Sequence, residues 1–456
     1  MSLINENKER DKWSSKIGFI LAAAGSAVGL GNLWKFPYSV GSNGGGAFVM
    51  IYFIFLFVIG FPLMLAAITL GRKTQLSAVG AYRSIKKKWA FVGGLGVVCG
   101  FFILAFYSTV GGWVIYYFVK ALKGGLAIKD PEVLGSIFGG FISSPVESIL
   151  YQGIFLVLTL AIVLRGISGG IEKASKIMMP ALFVMIFLIS IRSITLPGAS
   201  EGIKFFLVPD FSKINMNVIM NALGQVFFSL SIGMGVMVTY GSYLDKDSNI
   251  LGPSAYIPML DTAVAIIAGL ATLPAVFALG FKASSGPGLM FVTLPAVFAS
   301  MPFGKVFCFL FFMLVLFAAL TSSISMLEVC VSYFVDEKGA NRIKASIIIS
   351  MIIYLVGMPA SLSMGPWKDV HILGNLNFFD FYDKLTSNIL LTSGGLLLSI
   401  FVGWVWGADN AVKEIELRGV KFRLAPVWKF LIKYVVPPAV FIILINSLKE
   451  LIMAIL

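Results

Sequence analysis

Long uncharged runs separated by short polar or charged intervals dominate the pattern of this chain. Phe36 to Gly71, Trp89 to Val119, Ile214 to Leu244, Val306 to Leu327, Ala345 to Trp367 and Leu385 to Ala408 carry no charged residue. Each reaches the roughly 20 residues that a helix needs to cross a bilayer. The weak ten-residue alternation of a membrane barrel is missing, so backbone polar groups must be satisfied inside helices. The pattern therefore predicts an all-α polytopic membrane protein of about 11 spans, near 15–38, 43–71, 90–120, 147–165, 174–195, 216–243, 255–281, 303–335, 342–363, 376–406 and 427–453.

Composition agrees: 58% of residues are hydrophobic and 12% charged, against about a quarter charged in a soluble domain. A net charge of +13 raises the question of nucleic acid, but the placement of the charge answers it. With the amino terminus inside, about two thirds of the 35 Lys and Arg fall on cytoplasmic segments, as the positive-inside rule requires. The expected partner is the lipid bilayer of the cell's inner membrane, not nucleic acid, with the amino terminus cytoplasmic and the carboxyl terminus outside. The Lys86, Lys87 and Lys88 cluster reads as a topology signal, with contact to anionic lipid as the alternative. No short apolar region with a small-residue cleavage site opens the chain, so no cleaved signal peptide is expected. Cys99, Cys308 and Cys330 match no zinc or redox spacing, and His371 is the sole histidine. With no HExxH and no nucleophile beside a histidine, neither an enzyme nor an organic cofactor is expected.

Two spans look interrupted. Gly25 to Asn32 (GSAVGLGN) and Ser229 to Gly235 (SLSIGMG) put glycines and small polar residues in mid-membrane. They fall in the first and sixth spans, corresponding members of two five-helix halves, which points to an inverted-repeat transporter with its site at the breaks. Close glycine-mediated helix packing is the alternative.

The motif GSAVGLGNLWKFPY (Gly25 to Tyr38) followed by NGGGAF (Asn43 to Phe48) resembles the first-helix signature of the bacterial neurotransmitter:sodium symporters. The resemblance continues through RGISGGIEKASKIMMP, GQVFFSLSIGMG, TLPAVF, LTSSIS and WGAD, and covers essentially the whole chain. It implies the leucine-transporter fold, with helices 1 and 6 unwound at mid-membrane, and sodium-coupled symport of a neutral amino acid by alternating access. It divides the chain into a cytoplasmic tail (1–14), a first repeat (15–200), a second repeat with outer loops (201–406), and a cytoplasmic loop with the eleventh span (407–456).

The resemblance also implies ligand sets for two sodium ions. One takes the Ala27 carbonyl, Asn32, Ser229 and Asp261. The second takes carbonyls of Gly25, Val28 and Ala318 with hydroxyls of Thr321 and Ser322. Taken singly, such hydroxyls in membrane helices usually bond back to their own helix. The substrate carboxylate would meet the Leu30 and Gly31 amides, Tyr107 and the first sodium, and the amine Ala27, Phe228 and Ser231, with Ser26 and Ser229 also among the substrate-binding residues. Half-helix ends of opposite partial charge suit such a zwitterion. Ile103, Phe228, Met234, Ser322 and Met326 would line a pocket for a large aliphatic or aromatic side chain; core filling is the other reading of the methionines.

Phe228 and Tyr107 would form a lid, Lys35 and Asp380 an outer charged pair, and Arg10, Trp13, Tyr243 and Asp336 an inner gate. Lys35 replaces the family's usual arginine and loses its planar fork. Asp261 stands where the family usually has an asparagine, and Ala265 where chloride-dependent members have a serine. The resemblance therefore implies chloride-independent transport. Gly170 to Pro180 invites unwinding of the fifth span, with an ordinary helix start as the alternative. A receptor of the same fold and a channel are the competing classes.

Overall fold

The computed structural model describes residues 10–280 and 287–455. Of the tail 1–14 only residues 10–14 lie within them, and the final residue of 407–456 lies outside. Nine continuous helices among the described residues are long and apolar enough to span a membrane. The second to fifth are Gly46–Thr74, Lys87–Leu122, Pro145–Val163 and Ile167–Ile194. The seventh to eleventh are Leu251–Ala278, Gly304–Lys338, Arg342–Leu362, Phe378–Val405 and Ala425–Ile455. The first and sixth spans are the two broken ones.

In the first span, Lys16–Ala27 and Gly31–Ser42 meet at an angle of 51°. Val28 still donates to the Ala24 carbonyl at 2.7 Å, but its ψ of 98° is extended and ends the helix. Gly29 allows the break to lie against the eighth span, since a Cβ there would sit 2.5 Å from the Ser322 hydroxyl oxygen. The sixth span divides into Met216–Ser229 and Val236–Gly241. Between them Ser231, Gly233 and Gly235 have φ of 53°, 97° and 78°. Left-handed backbone is free for the glycines and costs about 1–2 kcal/mol at Ser231, which the hydrogen bond of its hydroxyl to the Ser26 carbonyl at 3.3 Å helps to offset.

The fifth span is helical throughout, so the expected unwinding between Gly170 and Pro180 is not the conformation seen. A π-helical turn over Ile167–Glu172 leads into Lys173–Ile194 with Pro180 inside. Glu172 pins this end: its carboxylate accepts from the Ser14 amide, the Ser14 hydroxyl and the Ser15 hydroxyl, each at 2.7 Å. It also pairs with Lys176 at 2.6 Å.

Candidate functional site

The two breaks face one another through polar atoms. Asn32 Nδ2 donates to Asp261 Oδ1 at 2.8 Å, to the Asp261 carbonyl at 3.0 Å and to the Ser229 hydroxyl at 3.2 Å. The Ser229 hydroxyl lies 3.0 and 2.8 Å from the two Asp261 carboxylate oxygens, and the Tyr52 hydroxyl lies 3.3 Å from Oδ2. Asp261 and Asn32 have no exposed surface. The first, second, sixth and seventh spans thus converge on one buried carboxylate. Hard oxygen atoms and a negative charge at unwound backbone fit a sodium ion. No group of three or more His, Cys, Asp or Glu that could hold a metal occurs among the described residues.

Beside this cluster, the Ser26 carbonyl accepts from Ser231 at 3.3 Å and from Ser322 at 3.2 Å. The Gly31 carbonyl accepts from the Gln225 amide at 3.2 Å. The buried Tyr107 hydroxyl has no hydrogen-bond partner of regular geometry among the described residues; it lies 3.6 Å from where a Gly29 Cβ would be. Leu30, Gly31, Tyr107 and Phe228 line a cavity of about 220 Å³ together with Phe106 and Phe379. Ile103, Met234 and Met326 are buried and do not line it; the backbones of both methionines flank Gly100 on the third span.

In the second ligand set, Thr321 Oγ1 donates back to the Phe317 and Ala318 carbonyls at 3.0 and 3.1 Å. Its Cβ lies 3.2 Å from where a Cβ on Gly25 would be, so this turn of the eighth span abuts the first. Ala27 and Val28 are buried at the break.

The gates differ between the two ends. At the amino-terminal end Arg10 pairs with Asp336 at 2.7 Å and stacks over the Tyr243 ring at 4.6 Å. The Trp13 indole donates to the Tyr240 carbonyl at 2.9 Å. All four residues expected at the inner gate are therefore drawn together at this end. At the other end the expected pair of Lys35 with Asp380 is not formed. The Lys35 ammonium sits 4.0 Å from the centre of the Phe228 ring, and the carboxylate sharing its cavity is Asp383. Asp380 lies one helical turn earlier, its amide capped by the Asn377 side chain at 2.9 Å. An i, i+3 spacing puts both acids on one helix face, so sequence alone could not separate them. Above Lys35 opens a polar cavity of about 810 Å³ reaching Asn43, Asn221 and Glu450.

Sequence reasoning also missed Tyr52, Glu328 and Arg342. Tyr52 gave no signal beyond being a buried hydroxyl in an apolar run. Glu328, with no exposed surface, accepts from Tyr243 at 2.6 Å and pairs with Arg342. Its position inside a predicted span was the available signal, because an intramembrane acid needs a partner.

Comparison with known proteins places this geometry. Residues 10–133 and 147–454 match the family described as the sodium:neurotransmitter symporter family. A relative in Bacillus subtilis, YhdH, described as an uncharacterized sodium-dependent transporter, is 42% identical over 95% of this chain and 97% of its own. The sodium- and chloride-dependent taurine transporter of Rattus norvegicus is 27% identical over 92% of this chain and 75% of its own. Among solved structures, MhsT in complex with L-phenylalanine superposes with a TM-score of 0.89 at 42% identity. That match covers 96% of this chain and all of MhsT.

Proposed function

From the premise that this chain belongs to the sodium:neurotransmitter symporter family and is a multi-pass, sodium-dependent transporter, we propose that it carries a neutral amino acid with a large aliphatic or aromatic side chain. The observation that carries this reading is the convergence of Asn32, Ser229 and Asp261 at the two breaks, next to carbonyls and the buried Tyr107 hydroxyl. Sodium supplies there the positive charge that the Asp261 carboxylate and a substrate carboxylate both require. Leu30 and Gly31 present half-helix amides to that carboxylate, while the Ser26 and Ala27 carbonyls take the amine. Phe106, Val110, Phe228 and Phe379 give the cavity an apolar rim suited to a large side chain. The phenylalanine held by the related MhsT supports the same class.

Two sodium ions, an inner-membrane location with the amino terminus cytoplasmic, and chloride independence complete the proposal. Alternating access is supported by the Arg10–Asp336 pair at one end, while at the other Lys35 lies over Phe228 and Asp383 accepts from Ser387 with no ion pair between them among the described residues. Tyr107 and Phe228 serve as the lid between the cavity and the outer vestibule. The test is uptake by purified protein in liposomes after a sodium jump, screened across the twenty amino acids. Accumulation of a large neutral amino acid, accelerated by preloaded unlabelled substrate, is expected. Absence of accumulation for all twenty defeats the reading.

Sodium dependence probes the second ligand set. Thr321→Ala combined with Ser322→Ala removes two hard oxygens, each worth about 1.5–3 kcal/mol toward a charge. The sodium concentration for half-maximal uptake should rise by at least about tenfold. Unaltered uptake at every sodium concentration removes these hydroxyls from the site.

A further inference from the structure

The fourth span, Pro145–Val163, contributes no residue to either ligand set and presents much of its surface outward: Leu150, Val157 and Leu158 are exposed. Its inward stripe is different. Gln152, Phe155 and Thr159 have no exposed surface and recur at i, i+3 and i+7, one face of a helix. Gln152 and Thr159 each touch a neighbour of a residue assigned to the site, and Phe155 packs against one directly.

Gln152 joins three spans. Its amide nitrogen donates to the Ser108 hydroxyl at 2.9 Å, its amide oxygen accepts from Ser361 at 2.7 Å, and Ser361 lies 2.8 Å from the Thr109 hydroxyl. Ser108 in turn donates to the Ala105 carbonyl at 2.7 Å. These bonds admit one proton order: Thr109 to Ser361, Ser361 to Gln152, Gln152 to Ser108, Ser108 to Ala105. That order fixes the orientation of the amide, which coordinates alone leave open. Thr159 meets the Ser323 hydroxyl at 2.8 Å. Phe155 packs its ring 6.4 Å from that of Tyr107, and Gly111 is where the third span makes room for it.

Ser108 and Thr109 follow Tyr107 directly, and Ser323 follows Ser322. Successive residues on a helix point about 100° apart, so holding Ser108 and Thr109 against the fourth and ninth spans aims Tyr107 at the break. Holding Ser323 against Thr159 aims Ser322 and Thr321 in the same way. Lipid supplies no hydrophobic drive between helices, so side-chain hydrogen bonds and small residues set their rotation. We infer that Gln152 and Thr159 are positioning residues: Gln152 holds Tyr107 toward the substrate, and Thr159 holds Ser322 and Thr321 toward the second sodium. This rests on the proposed roles of Tyr107, Thr321 and Ser322.

The test is a pair of double-mutant cycles in proteoliposome uptake. Gln152→Met keeps the shape of the side chain without its hydrogen bonds, and should raise the substrate KM by about tenfold with maximal rate within about twofold. In a Tyr107→Phe background the same change should add less than about twofold, since there is no hydroxyl left to aim. Thr159→Val should raise the sodium concentration for half-maximal uptake several-fold, and Thr159→Ser should restore it. In a background carrying both Thr321→Ala and Ser322→Ala the Thr159→Val effect should disappear. Should Gln152→Met fail to fold, Ser361→Ala removes the same amide's partner and carries the same expectation. If Tyr107→Phe alone leaves KM unchanged, the reading of the substrate site fails. If it raises KM but the Gln152 effect adds in full, or Gln152→Met lowers only thermal stability, the positioning inference is overturned.

Discussion

Arg10→Ala should lower sodium-driven uptake by about tenfold or more. The pair that Arg10 makes with Asp336 at 2.7 Å is only 22% and 12% exposed, so losing one partner strands a largely buried carboxylate. Breaking a fully buried pair costs about 3–5 kcal/mol. Partial exposure screens this one, so about 1.5–3 kcal/mol is the expected loss to the state closed at this end. Each 1.4 kcal/mol is a factor of ten in population, and a carrier held open on one side cannot complete its cycle. The Trp13 indole bond to Tyr240 survives, which leaves residual closure and transport reduced instead of absent. Asp336→Ala should behave alike, and Arg10→Asp with Asp336→Arg should recover part of the rate. Single variants that transport at the wild-type rate would show that inner closure does not depend on this pair.

How much of this was readable in the chain depends on whether a feature is local. The broken first and sixth spans were legible because Gly25, Gly29, Gly31 and Gly233, Gly235 interrupt apolar runs, and a helix break is a local event. That Arg10, Trp13, Tyr243 and Asp336 come together was legible through their motif context. Tyr52 was not, because one tyrosine in an apolar helix carries no periodic signal and its meaning comes from an aspartate 209 positions away. Gln152 is the same case: Ser108 and Ser361 become its partners only once three spans are packed. The expected pairing of Lys35 with Asp380 is not seen, since Asp380 shares a helix face with Asp383 and it is Asp383 that lines a cavity with Lys35. The fifth span kept its helix through Gly170 because Ser14, Ser15 and Lys176 hold Glu172, contacts that composition does not announce.

Uptake by the wild-type protein should be indifferent to replacing chloride with gluconate at fixed sodium, and the reason is Asp261. Its carboxylate is fully buried, and its three side-chain donors, Asn32, Ser229 and Tyr52, are neutral groups. A buried charge needs an opposite charge as well as hydrogen bonds, and the sodium ion proposed at the adjacent break would supply it. On that proposal the negative charge that sodium needs in turn is carried by the chain itself. One turn further along the seventh span stands Ala265, also without exposed surface, where no hydroxyl is available to hold an anion. The taurine transporter that this chain resembles is described as sodium- and chloride-dependent; on the reading proposed above, this chain carries the compensating charge on Asp261. Asp261→Ser with Ala265→Ser removes the internal charge and adds two hydroxyls. That variant should lose at least about nine tenths of its uptake in gluconate, because stranding a buried cation costs more than the 1.4 kcal/mol of a tenfold change. Added chloride should return part of it, while Asp261→Ala alone should remain inactive in either salt. A wild type that stops in gluconate, or a double variant equally active with and without chloride, would place the compensating charge elsewhere.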